Sequence, residues 1–127
     1  MRNYFEGGDI MYGNNIVADK SKTFALRIIK LYKFLIENHR ISPLANQVLK
    51  SGTSIGANIK EAIRAQSKPD FYSKMNIALK ESSETEYWIE LLYESDYITK
   101  EQFDSLYSDC LELLKILTAI TKTQKNS

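Results

Sequence analysis

Two groups of side chains in this sequence are spaced to do more than fill a core. Gln47, Ser51, Ser54, Asn58 and Glu61 recur every three or four residues, so at about 100° per residue they share one side of a helix. Further on, Glu81, Glu84 and Trp88 align in the same way, and Lys80 precedes Glu84 by four. Such a strip has three uses. It can be a buried or half-buried hydrogen-bond network that fixes helix register, the reading we favour. It can be a binding face whose carboxylates await a ligand or a partner. Its third use, carboxylate acid-base catalysis, ranks last, since nothing pairs Glu81 or Glu84 with a nucleophile or a substrate cradle. The second group is basic. Lys22, Lys30, Lys33 and Arg40 fall on one face of the first predicted helix, opposite its apolar stripe, where they form a candidate phosphate-contacting surface or an ordinary solvated one. No aromatic residues interleave with them as a base-stacking platform would require.

Other chemistries are excluded by count. His39 is the only histidine, so a di-iron site with two Glu-x-x-His segments cannot be built, nor an ordinary zinc site. Leu35, not arginine, stands four residues before His39, which argues against an arginine–histidine ribonuclease pair; His39 reads as a solvated turn residue. There is no glycine-rich phosphate loop following a strand. Cys110 is the only cysteine and sits among leucines, so neither a disulfide framework nor a thiolate metal site is expected, and a reducing, cytoplasmic setting is. No cofactor or metal is called for.

The elements that must carry these groups are helices. With 127 residues, 43% of them hydrophobic, the chain suits one domain with a real core. The glycines and asparagines of residues 1–18 predict a flexible N-terminal arm, with Met11 a conceivable alternative start. Phe24, Ile28, Leu31 and Leu35 mark a first helix from about Asp19 to Asn38. Ser42 followed by Pro43 reads as a cap and first turn opening a second helix, to about Gln66. Within it Gly52 and Gly56 each cost about 1 kcal/mol relative to alanine, which predicts close approach of another backbone, that of the third helix. The third helix runs from the Pro69 corner to about Glu94, and its stretch from Lys80 to Glu86 holds no hydrophobic side chain. Thr99 and Gln102 form a capping box before a fourth helix with the cleanest core stripe, Phe103 to Ile120. Residues 122–127 read as a polar tail that frays. Four helices joined by short turns over residues 19–121 predict an all-α, antiparallel up-down-up-down four-helix bundle. No apolar run reaches the roughly 18 residues of a membrane span.

Charge is distributed unevenly although 17 basic residues nearly cancel 16 acidic ones. Residues 1–40 carry seven basic and four acidic side chains and residues 41–66 three and one, whereas residues 67–98 carry three and seven. A positive first half and a negative third helix suit either a polyanionic partner or the steering of subunits together.

The run from Gln47 to Glu61, with Ser54 and Asn58 inside it, then Phe71, Ile77-Ala-Leu-Lys-Glu81 and Glu84-Thr-Glu-Tyr-Trp88, closely resembles the signature of a known family. These are the bacterial four-helix bundle proteins encoded in intervening sequences of 23S ribosomal RNA genes, and the likeness spans roughly Phe24 to Leu117. Lys50 departs from it, since the family usually has arginine there, which weakens any bidentate contact. The resemblance implies a homo-oligomeric ring, typically a pentamer, and kinship with accessory proteins of diversity-generating retroelements, which bind nucleic acid and a reverse transcriptase. The expectation is therefore a non-enzymatic, homo-oligomeric, nucleic-acid-associated scaffold partnered by RNA or DNA. The alternative is a protein-protein interaction module whose charged faces serve self-assembly or a protein partner.

Overall fold

A computed structural model describes the backbone of residues 8–126 and the side chains of residues 15–124. It contains α1 (Gly8–His39), α2 (Ser42–Ile63), α3 (Lys68–Glu94), α4 (Lys100–Lys122) and a closing 3-10 turn, Thr123–Asn126, with no strand among the described residues. Each helix packs on its neighbours in sequence and α1 packs on α4, which gives the antiparallel four-helix bundle.

The first helix is longer than its composition suggests. A loop is predicted up to Ala18, yet α1 begins at Gly8, so the boundary between arm and bundle moves; residues 1–7 of the predicted arm lie outside the described residues. Val17 explains the extension. It lies seven residues before Phe24 on the same stripe and is fully buried, and burying a valine contributes about 1.5–3 kcal/mol, enough to offset a glycine's helix penalty of about 1.

The turns follow local chemistry with small displacements. Arg40 takes a left-handed conformation (φ 53°) and Ile41 an extended one, so Ile41 is the N-cap of α2. Ser42, expected as the cap, is instead the first helical residue and makes no capping bond. Half-buried Ile41 packs at the edge of the core, and that packing sets the chain's entry angle. Helix α2 stops at Ile63 rather than Gln66, where the Arg64 amide donates to the Lys60 carbonyl and the Ala65 amide to Ala62. Ser67 caps α3, its hydroxyl accepting from the Asp70 amide at 3.2 Å. Asp96 (φ 65°) ends that helical segment, aspartate being one of the few residues that visit the left-handed region readily. The Thr99–Gln102 capping box is present in both directions, at 3.2 and 2.8 Å. The tail predicted to fray is tied down through Gln124: the Tyr72 and Thr123 hydroxyls are hydrogen-bonded, and Asn76 Nδ2 donates to Gln124 Oε1 at 3.2 Å.

The four seams differ in character. Phe24, Ile28, Ile55, Ile59, Phe71, Met75, Ile89, Leu113 and Leu117 fill the centre. Between α2 and α3 the core turns polar, the Thr85 hydroxyl standing 2.9 Å from Ser51 Oγ, both buried; Ser82 donates within α3 to the Ala78 carbonyl, and Cys110 Sγ of α4 donates to the Ser82 carbonyl. The glycines do not serve this seam. A Cβ on Gly52 would meet Ile28 and one on Gly56 would meet Ser21, both on α1, so the close approach predicted for α3 is made by α1. Helical spacing identifies a face but not the helix lying against it. The α1–α4 seam is the least packed and is bridged by Lys20–Glu112 (3.1 Å) and Arg27–Asp109 (2.6 Å). None of the described helices is long and apolar enough to cross a membrane.

Candidate functional site

The four basic residues expected to act together are all exposed but are not one cluster. Lys22 stands on the α2 side of α1. There, with Lys60 of α2 and Arg64 at the C-cap of that helix, it borders a groove of about 430 Å³ lined also by Ser21, Ala25, Gly56 and Ala57. Lys30 turns the other way and lines, with Arg27, Phe34 and Gln102, a hollow of about 280 Å³ between α1 and α4. Lys33 follows Lys22 by three turns along the outer face, about 16 Å away, and Arg40 occupies the left-handed turn. Lys60 and Arg64 were not among the expected site residues. They lie on a different helix, and only the packing of α1 on α2 joins them to Lys22.

Charge pairing separates the basic residues further. The described ion pairs use Lys20, Arg27, Lys74 and Lys100. Among the described residues, Lys22, Lys30, Lys33, Lys60 and Arg64 have no carboxylate partner within ion-pair distance. The groove between α1 and α2 is consequently rimmed by three cations without an ion-pair partner, Lys22, Lys60 and Arg64, against one acidic residue, Asp19.

The polar strip behaves differently from a closed inter-helix network. Ser54 donates to the Lys50 carbonyl (2.6 Å) and Asn58 to the Ser54 carbonyl (2.9 Å), so both hydrogen bonds stay within α2. Gln47, Glu61, Lys80 and Glu84 are exposed, and Glu61 reaches across to Lys74 at 3.3 Å. Glu81 is half-buried; desolvation, then the nearby Glu84, raises its pKa, while Lys50 and Lys80 oppose the shift. Trp88 is half-buried with its ring tilted against Tyr87, and its Nε1 is buried without a hydrogen-bond partner. The hydrogen bond between α2 and α3 runs through Ser51 and Thr85, one layer deeper than the strip. Thr85 was legible, because it completes the spacing Ala78, Ser82, Thr85, Ile89 on the buried stripe.

Between α3 and α4 lies a third cluster that sequence reasoning missed. The Tyr107 hydroxyl is 2.8 Å from Glu90 Oε2 and 3.0 Å from Glu86 Oε2, and its pKa is raised by the bond to Glu90, by burial and by the bond to Glu86. Tyr93, Phe103 and Tyr107 stack with centroids 4.5 and 4.7 Å apart. Its only advance signal is the four-residue spacing of Glu86 and Glu90. No group of three or more histidine, cysteine, aspartate or glutamate side chains among the described residues could hold a metal ion. Glu81 and Glu84 line neither of the two hollows beside α1.

Comparison with known proteins agrees with this architecture. No curated protein matches the chain. Among solved structures, a protein of unknown function from the S23 ribosomal protein family of Bacteroides thetaiotaomicron VPI-5482 is similar, with 54% sequence identity and a TM-score of 0.85. The match covers 87% of this chain and 99% of that one. The family model for the 23S rRNA-intervening sequence protein matches residues 13–119. The small-residue helix, the Lys80-to-Trp88 segment and the bundle that holds them are thus explained together: the chain belongs to the 23S rRNA-intervening sequence protein family.

Proposed function

We propose that this chain is a non-enzymatic, homo-oligomeric bundle that acts in the cytoplasm as a scaffold on nucleic acid. The observation that carries the reading is a set of five exposed cations, Lys22, Lys60 and Arg64 around one groove and Lys30 and Lys33 further along α1, that lack carboxylate partners among the described residues. Exposed cations left unpaired on a nearly neutral protein are free to displace counterions from a phosphate backbone. Self-association, into a ring of five as the family resemblance implies, is supported by large apolar side chains left in solvent on two helices, Leu26 (55% exposed) on α1 and Tyr87 (53%) on α3. Different patches on one subunit suit head-to-tail contact, which closes into rings. Cys110, a buried free thiol, fits a reducing compartment.

The test is a gel shift of a defined RNA at low ionic strength, together with the native mass before and after nuclease treatment. Retained RNA that is released steeply by salt supports the reading; no retention at low ionic strength refutes it. The exposed Leu26 and Tyr87 also favour a second reading, a protein-interaction module whose charges serve assembly or a protein partner. Charge reversal of Lys30 and Lys33 separates the two. On the first it abolishes nucleic-acid binding and leaves the native mass unchanged, whereas on the second it alters the mass or partner capture.

A further inference from the structure

The basic surface has one concavity that is more than a charged face, the groove between α1 and α2. Resting on the nucleic-acid reading above, we propose that this groove seats one nucleotide of a single-stranded nucleic acid, its phosphates held by Lys22, Lys60 and Arg64. Lys60 in the last turn of α2 and Arg64 at its C-cap line one wall, and Lys22 faces them from α1, so cations stand on both walls with Asp19 the one acidic residue of the lining. The floor is low because Gly56 has no side chain; a Cβ there would already stand 3.3 Å from Ser21 Oγ. The volume of about 430 Å³ is in the range of small-molecule sites, about 300–1,000 Å³.

The shape selects among anions. A duplex keeps its bases paired inward and would touch only the cationic rim. A single strand can splay a nucleotide outward, laying ribose and base on Ala25, Gly56 and Ala57 while its phosphates meet the walls. The lining holds no aromatic ring, so the nucleotide packs by shape and affinity comes mostly from phosphate contacts. The groove therefore prefers single strand over duplex and is indifferent to base identity.

Fluorescence anisotropy at low salt with the intact chain tests this. The probes are a labelled ten-nucleotide oligouridylate, a duplex of equal length and a ten-residue polyglutamate. Ala57→Leu fills the groove without changing charge and keeps a strong helix former at an exposed site. Lys60→Gln with Arg64→Gln removes the charges of one wall, Lys30→Gln with Lys33→Gln removes cations of the basic surface outside the groove, and Lys115→Gln with Lys122→Gln on α4 is the control that should bind like wild type. Wild type should prefer the single strand, and Ala57→Leu should weaken that binding about tenfold. The Lys60→Gln/Arg64→Gln variant should flatten the slope of log affinity against log salt by about 1.4, at about 0.7 per single-strand phosphate. If Ala57→Leu binds like wild type while Lys30→Gln/Lys33→Gln loses binding, the groove inference falls and the broader proposal stands. Polyglutamate bound as tightly as the oligonucleotide, and equally weakened by Ala57→Leu, overturns it in favour of an acidic peptide. No binding of either nucleic acid removes both.

Discussion

Replacing Gly52 with alanine sets two effects of similar size against each other. The methyl group relieves a helix-propensity penalty of about 1 kcal/mol. It also arrives 2.8 and 2.9 Å from the two γ-carbons of Ile28, closer than such carbons can sit. Ile28 is fully buried, and a β-branched side chain in a helix has one strongly preferred rotamer, so it cannot swing aside. Overpacking of this kind costs about 1–3 kcal/mol, and the net expectation is a loss of about 0–2. Gly56, one turn along the same seam, is the internal control. Its methyl would stand 3.3 Å from the Ser21 hydroxyl, a contact relieved by a few tenths of an ångström, so Gly56→Ala should keep most of the propensity gain. Urea unfolding followed by circular dichroism reads both variants as shifts in midpoint at constant slope. Gly56→Ala should exceed Gly52→Ala in stability by about 1–3 kcal/mol, the overpacking cost that only Gly52 meets. In an Ile28→Ala background, itself destabilised by about 2–5 kcal/mol, the clash is gone and Gly52→Ala should restore about 1. Equal gains from both glycine substitutions in the native background would refute the assignment of this seam to α1.

Three further outcomes follow from buried or half-buried groups. Thr85→Val leaves the buried Ser51 hydroxyl only its long bond to the Val48 carbonyl (3.5 Å) and should cost about 1–2 kcal/mol in urea unfolding, part of which returns when Ser51→Ala is added. Glu81 holds its proton more tightly folded than unfolded, so the penalty of its charge is absent below the unfolded pKa and grows as pH rises through the folded one. Glu81→Gln should accordingly raise stability by about 0.2–0.5 kcal/mol at neutral pH and have no such benefit near pH 4. Burial pushes the Cys110 thiol up to about 12. A thiol reagent at mildly alkaline pH should leave it unmodified in the native state and react promptly in urea.

The four helices were legible because their core stripes keep one period through most of their length and because two of their starts are written in side chains that can bond to only one thing. Thr99 with Gln102 is such a start and occurs as read; Ser67 is the other, a cap found by the structure at a corner read only from Pro69. What escaped depends on relations between helices. The extension of α1 to Gly8 rests on Val17 finding a buried site, a tertiary gain that outweighs local glycine content. The partner of Gly52 and Gly56 could not be read from α2 alone, since α1 and α3 flank it on either side. Ser54 and Asn58 looked like members of a network, yet a backbone carbonyl four residues earlier satisfies each of them, and spacing cannot tell those alternatives apart. The expected basic face was read as a single line. In space Lys30 and Lys22 look into different grooves, and Lys22 gains its company from α2.

The sparse α1–α4 seam makes the bundle open in a preferred direction. Its two bridging ion pairs are about a third to a half exposed, so each contributes at most about 1 kcal/mol and both weaken as salt rises. The other three seams are closed mainly by apolar packing, the glycine approach and buried hydroxyls, and the one exposed ion pair among them, Glu61–Lys74 between α2 and α3, is backed by that packing. The molecule is therefore bound like a book, with its spine along α2 and α3 and its fore-edge fastened by charge. Ionic strength sets how often the fore-edge parts, and amide hydrogens along α1 and α4 should exchange faster in high salt while those of α2 and α3 keep their protection.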